Sequence, residues 1–155
     1  KEGGRELTKE VLMGHLSTGA STLLVDSETL SMIGGFDPDF PRHQDWEFLI
    51  RILKQGKLAH VDKPLVIKHG TGRPDAEVYV EAKDLLLSEF ADDVAKFESQ
   101  GYPITHMQQL YLGKLYLEEG KFKEGMEYID SSKLSIPTIL SILWSGSIGA
   151  RERLL

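Results

Sequence analysis

The apolar positions of this chain follow two rhythms, and the change falls in the Gly- and Pro-containing stretch HGTGRPD, residues 69–75. Before it, short apolar runs alternate with turns. STLLVD (Ser21–Asp26) has the β-branched and aliphatic content of a short buried strand. SETLSMIGG then predicts a short helix with Ser27 as N-cap and Gly34 as its stop. In HQDWEFLIR and the two residues after it, Trp46, Leu49, Ile50 and Leu53 fall on one buried helical stripe, at i, i+3, i+4 and i+7. Phe48 and Ile52 add a second apolar row, leaving Glu47, Arg51, Lys54 and Gln55 for water. Glu47 and Arg51 make a favourable i, i+4 pair. Asp45 is placed to cap this helix and Gly56 to close it. KLAHV and PLVIKH, parted by Asp62, Lys63 and Pro64, predict two more short strands.

After the change the pattern is purely helical. Val78, Ala82, Leu86, Phe90, Val94 and Phe97 predict one helix that ends at Gly101. A second runs from Pro103 to Glu119, a third over about 122–132, and a fourth follows Pro137. The expected fold class is therefore a partial α/β unit with a few short strands over 1–72, then an all-α helical-hairpin tail over 73–155. Predominantly helical structure is expected overall.

Within that tail, YLGKLYLEEGKFKEGMEYIDSSKLSIP resembles one tetratricopeptide unit, a motif that repeats at about 34 residues. Leu112, Gly113 and Tyr116 match the first helix of that motif and Gly120 and Phe122 its turn. Gly125 stands where an alanine is usual, and Pro137 marks the end. The resemblance covers a helix pair at about 106–137. One visible unit cannot bury its own faces. The tail is thus either a buttress for the first half or, as an alternative function for the whole chain, a non-catalytic interaction module.

Composition narrows the chemistry. With no cysteine among 155 residues, disulfides, thiol nucleophiles and thiolate metal sites are excluded. The net charge is −6, with 9 basic against 10 acidic residues over 1–70 and 9 against 14 over 71–155. An acidic chain without a basic stripe argues against a nucleic-acid partner, because phosphate neutralisation needs clustered Lys and Arg. No stretch approaches the roughly 20 apolar residues of a membrane span. The most apolar one, IPTILSILW, stops at Trp144 and is followed by Ser and Gly.

The order of elements in the first half resembles the C-terminal part of a family 2 glycosyltransferase of the GT-A fold. The residues that carry the likeness are Gly34-Gly35-Phe36-Asp37, then Gln44-Asp45 at the start of a helix that runs through Arg51. A strand-like Gly56 to Val61 and the pair Pro64-Leu65 follow, so that the match covers about Ser17 to Gly72. The resemblance implies inverting transfer of a sugar from a nucleotide-sugar donor to an acceptor hydroxyl, on a glycan or a lipid-linked carrier, in the cytoplasm or peripherally at the membrane face.

In that likeness Asp45 is the general base, which must lie within hydrogen-bond reach of the hydroxyl and be rigidly aimed. Gln44, Trp46 and Asp37 are its neighbours, with Trp46 read first as core. His69 is carried over to the metal or diphosphate, and Arg73 to the diphosphate. The implied metal is Mg or Mn, with its main ligands outside this chain. His15, His43, His60 and His106 show no ligand spacing and are expected at the surface or in packing. Asp37-Pro38-Asp39 has the form of a DXD metal motif, but it stands in the turn after Gly35, where Asp and Pro make turns. The nucleotide-binding first strand and the true DXD have no match here. The chain alone is therefore expected to be inactive, and its sheet edges to favour a homodimer.

Overall fold

A computed structural model describes residues 2–67, 69 and 74–129. Seven α-helices carry these residues: α1 (Thr8–Leu12), α2 (Ser27–Ile33), α3 (Gln44–Gln55), α4 (Ala76–Glu89), α5 (Ala91–Ser99), α6 (Ile104–Glu118) and α7 (Phe122–Glu127). The predominantly helical character and the helical tail are as the periodicity predicts. The fourth tail helix, after Pro137, lies outside the described residues, as does the third beyond Ile129.

The expected strands do not form ladders. Ala20–Thr22 is a 3-10 turn and 23–26 is irregular. Among the described residues the one β-bridge joins Gly3 to Leu58, with paired N–H···O bonds of 3.1 and 2.6 Å. A strand is stable only beside a neighbour, and a β-branched run fixes extended backbone without supplying that neighbour. Leu24 is wholly exposed, and Leu65 and Ile67 are 71% and 85% exposed.

Two helix boundaries also differ from expectation. Asp26, not Ser27, caps α2, its carboxylate accepting from the Thr29 N–H at 2.8 Å, while Gly34 closes the helix in the left-handed region as expected. The single helix predicted from Val78 to Phe97 is two, α4 and α5, broken at Phe90 (φ −108°, ψ 30°). Steps of four residues advance about 40° around a 3.6-residue helix, so a straight rod would swing its far end away from the core. The break at Phe90 keeps Phe90 and Phe97 buried in the same apolar cluster.

That cluster draws on both sides of the 72/73 junction. Val11, Leu12, Leu49, Ile50 and Leu53 from the first part pack with Leu86, Phe90, Phe97 and Ile104 from the tail. Polar ties cross the same seam: Lys54 pairs with the buried Asp93 at 2.6 Å, and Lys9 donates to the Tyr102 hydroxyl at 2.7 Å. The α6–α7 pair is held close by its two glycines. A Cβ on either Gly113 or Gly125 would lie 3.0 Å from the other's carbonyl oxygen. No described helix is long and apolar enough to cross a membrane.

Candidate active site

The mouth of α3 is built by an unusual start. His43 is the N-cap and holds φ +62°, the one non-glycine residue in the left-handed region among those described. This corrects the expectation for Asp45, which lies inside the first turn. Its Oδ1 accepts from the Trp46 N–H at 3.1 Å, a donor already bonded to the His43 carbonyl at 2.9 Å. Asp45 is half-buried and lines a cavity of about 780 Å³, within the range of about 300–1,000 Å³ usual for small-ligand sites.

Behind this mouth, α3 is anchored by Arg51. Its guanidinium donates to both oxygens of Glu47, to the Ile33 carbonyl and to the Gly35 carbonyl at 2.7 Å. Gly34 and Gly35 both adopt φ +78°, a consecutive left-handed pair open to glycine, and the turn so formed presents its carbonyls to Arg51. Glu47, expected in water, is 2% exposed, because Arg51 folds over it. Arg51→Ala would leave that carboxylate buried and unpaired. We expect a loss of about 3 kcal/mol, the lower end for a broken buried pair, since Arg51 is itself a quarter exposed. Urea unfolding checks this; a loss under 1 kcal/mol would mean that water reaches Glu47.

An aromatic wall faces Asp45. His43 packs against Trp46 (4.6 Å between ring centres), Tyr79 of α4 (5.4 Å) and Tyr111 of α6 (6.4 Å), and the two tyrosines stand 6.0 Å apart. Arg42 reaches over the Tyr79 ring at 5.2 Å. Two polar atoms on the cavity's lining residues are buried without a hydrogen-bond partner among the described residues, His43 Nε2 and Thr18 Oγ1. Burial, helped by the charges of Lys83 and Arg42, pushes the His43 imidazole down to about 3, so it is neutral at ordinary pH. Lys83 of α4 lies wholly inside, its ammonium 3.6 Å from the Trp46 ring centre and 5.0 Å from that of Tyr111. Burial pushes it down to about 7, against the pull of the Asp45 carboxylate.

No family model, curated protein or solved structure matches the chain. The site therefore has to be read from its own geometry.

Gln44, Asp45 and Trp46 all line the cavity, and the Gln44 amide is turned back to donate to the Phe40 carbonyl at 2.9 Å. Trp46 is both core and wall, 9% exposed. Asp37 is not on the lining; its carboxylate accepts from the Asp39 N–H at 2.9 Å, the turn expected of Asp-Pro-Asp. His69 is exposed and does not line the cavity, and Arg73 lies outside the described residues. Among the described residues no three His, Asp or Glu side chains are grouped to hold a metal. The described residues do not fit a metal centre.

Arg42, His43, Lys83, Tyr79 and Tyr111 were not singled out as site residues by the sequence. His43 adjoins Gln44-Asp45, which was a usable signal. The tyrosines and Lys83 come from helices 30 or more positions downstream, and nothing local points from them to α3.

Proposed function

We propose that this chain is the acceptor-side part of an inverting glycosyltransferase of the GT-A type, with Asp45 as general base. The observation that carries the reading is the Asp45 carboxylate on the lining of a cavity that aromatic residues (Trp46, Tyr79, Tyr111) share with polar ones (Ser17, Ser21, Arg42). A sugar ring has the complementary surface. Its C–H faces suit the aromatic faces, and its hydroxyls can satisfy the His43 and Thr18 atoms, which are costly to leave unpaired.

In the proposed step the acceptor hydroxyl gives its proton to an Asp45 carboxylate oxygen as its own oxygen forms the new bond to the anomeric carbon. The bond from that carbon to the diphosphate oxygen breaks, and the nucleoside diphosphate leaves with the electron pair. Attack from the face opposite the leaving group inverts the anomeric centre. Arg42 at the rim supplies positive charge toward the departing diphosphate. Donor recognition is assigned to no residue of this chain. The extended segments 23–26 and 58–67 are read as rim strands of the GT-A sheet, which accounts for the exposure of Leu24, Leu65 and Ile67.

The alternative, a tetratricopeptide-like interaction module, leaves the Asp45 cavity without a purpose. It also has to treat Tyr79 and Tyr111 as incidental, although both face α3. The test is a transfer assay on the protein that carries this chain, with a panel of nucleotide sugars and the product anomer read by NMR. Inverted product supports the reading; retained configuration, or no transfer from any donor, overturns it.

A further inference from the structure

A second cavity, of about 560 Å³, lies on the far side of the aromatic wall and shares Ser17, Trp46 and Tyr111 with the Asp45 cavity. Its own lining combines apolar and polar groups, Met13 and Met107 with Gln108 and Lys114. The Gln108 side chain is 3% exposed. Its Nε2 donates to the Leu12 carbonyl, which fixes the amide, while its Oε1 is buried with no partner. Among the described residues nothing donates to that oxygen. A buried amide acceptor left open costs about 1–3 kcal/mol, so a hydroxyl donor from a ligand or a water is favoured there.

We infer that this second cavity is a distal acceptor subsite, and that the acceptor is an oligosaccharide of at least two sugar units. The inference rests on the glycosyltransferase reading of Asp45 and extends it to substrate class. The terminal sugar sits over Asp45, presenting its hydroxyl to the carboxylate. The chain passes Ser17 along the Trp46–Tyr111 wall, and the next sugar occupies the second cavity, where one hydroxyl donates to Gln108 Oε1. The Met13 and Met107 side chains cover its apolar face with soft, adaptable surface.

Both walls of the joint come from the helical tail as much as from α3. Tyr111, Gln108 and Met107 all lie on α6, spaced so that Met107 and Tyr111 share one face at i, i+4. A single-sugar acceptor needs none of these α6 residues beyond Tyr111. An acceptor with a flexible apolar chain would fill the methionine side but leave Gln108 Oε1 unpaired. The disaccharide is the ligand whose hydroxyls answer both cavities.

The experiment uses the full 155-residue chain carrying ¹³C-methyl methionine. The protein has four methionines; Met13 and Met107 line the second cavity, while Met32 and Met126 are exposed elsewhere and serve as controls. The probes are the methyl glycosides of glucose, galactose, N-acetylglucosamine and rhamnose, and disaccharides of the same sugars. At least one disaccharide should move the Trp46 indole together with the Met13 and Met107 methyls, saturably. It should bind about tenfold more tightly than its methyl monosaccharide, the worth of one added hydrogen bond and covered face. Gln108→Met, which keeps length but removes the acceptor, should return the disaccharide to monosaccharide affinity.

A disaccharide that saturates Trp46 while Met13 and Met107 stay still overturns the subsite and leaves the Asp45 reading standing. So does undiminished disaccharide affinity in folded Gln108→Met. If that variant does not fold, the methyl shifts of the unaltered chain decide alone. A panel that moves none of these resonances at about 50 mM, enough to fill a weak millimolar site, also overturns the subsite. Inverted transfer by the parent protein would then still uphold Asp45 as base.

Discussion

Asp45→Asn is expected to lower sugar transfer by about 10²–10⁴-fold in the protein that carries this chain, the usual worth of a positioned general base. Unfolding should shift by less than about 1 kcal/mol, the size of one charge's interaction with a helix N-terminus. The two halves of this expectation come from the same geometry. Because His43 holds the N-cap position, the start of α3 does not hang on the Asp45 side chain. The Trp46 N–H that Asp45 accepts is already bonded to the His43 carbonyl, and the asparagine oxygen can take over the second contact. What the amide cannot do is receive a proton from an incoming hydroxyl. Turnover at saturating acceptor and a urea melt of the same preparation separate the two roles. Transfer preserved with a destabilised fold would assign Asp45 to the helix start and remove it from the chemistry.

How far the sequence foretold this arrangement depended on the range of the interaction. The stripe of Trp46, Leu49, Ile50 and Leu53 announced α3 within a residue or two, because helical period and burial are both local signals. Gly34 was legible as a stop for the same reason. Glu47 was misplaced in water because pairing at i, i+4 describes two exposed side chains. Here the Arg51 fork is also drawn to two carbonyls of the Gly34-Gly35 turn, 16 and 18 residues away, and carries Glu47 under cover. The strands failed on a related point: their residue types encode extended backbone, while a ladder needs a neighbour that local pattern does not contain. Asp45, Gln44 and Trp46 entered as a candidate site through the glycosyltransferase resemblance, which rests on a short local motif. Tyr79, Lys83 and Tyr111 complete the wall only after α4 and α6 pack on α3, which local pattern does not foretell.

Lys83 offers the second large effect, on stability against pH. It is fully buried, its ammonium has no hydrogen-bond partner among the described residues, and it lies against the faces of Trp46 and Tyr111. Its folded value of about 7 lies below the ordinary 10.5. Between those values the unfolded chain binds the proton and the folded one does not, so stability rises with pH through that window. At about 1.4 kcal/mol per unit the full span would amount to about 5 kcal/mol. The cation–π contact with Trp46 favours the charged form by about 2, so about 3 kcal/mol is the expected gain. His43 has the same sign in a lower window: neutral and buried when folded, it loses stability as pH falls from 6.5 toward 3. Lys83→Met keeps the bulk of the side chain and drops the charge. That variant should be about 3 kcal/mol more stable than the parent chain at pH 6, and its curve should be flat from 7 upward. It should also hold its stability further into acid, because one of the two charges that depress His43 is gone. Urea unfolding from pH 5 to about 9.5 reads most of the Lys83 window and the upper part of the His43 window, largely below tyrosine ionisation. That limit matters for Tyr116, whose raised value works in the opposite direction. Parallel curves for the two proteins would show that Lys83 keeps its proton in the fold, so that the ammonium must reach a partner such as Asp45. The lysine would then belong to the chemistry of the cavity as a fixed positive charge behind the base.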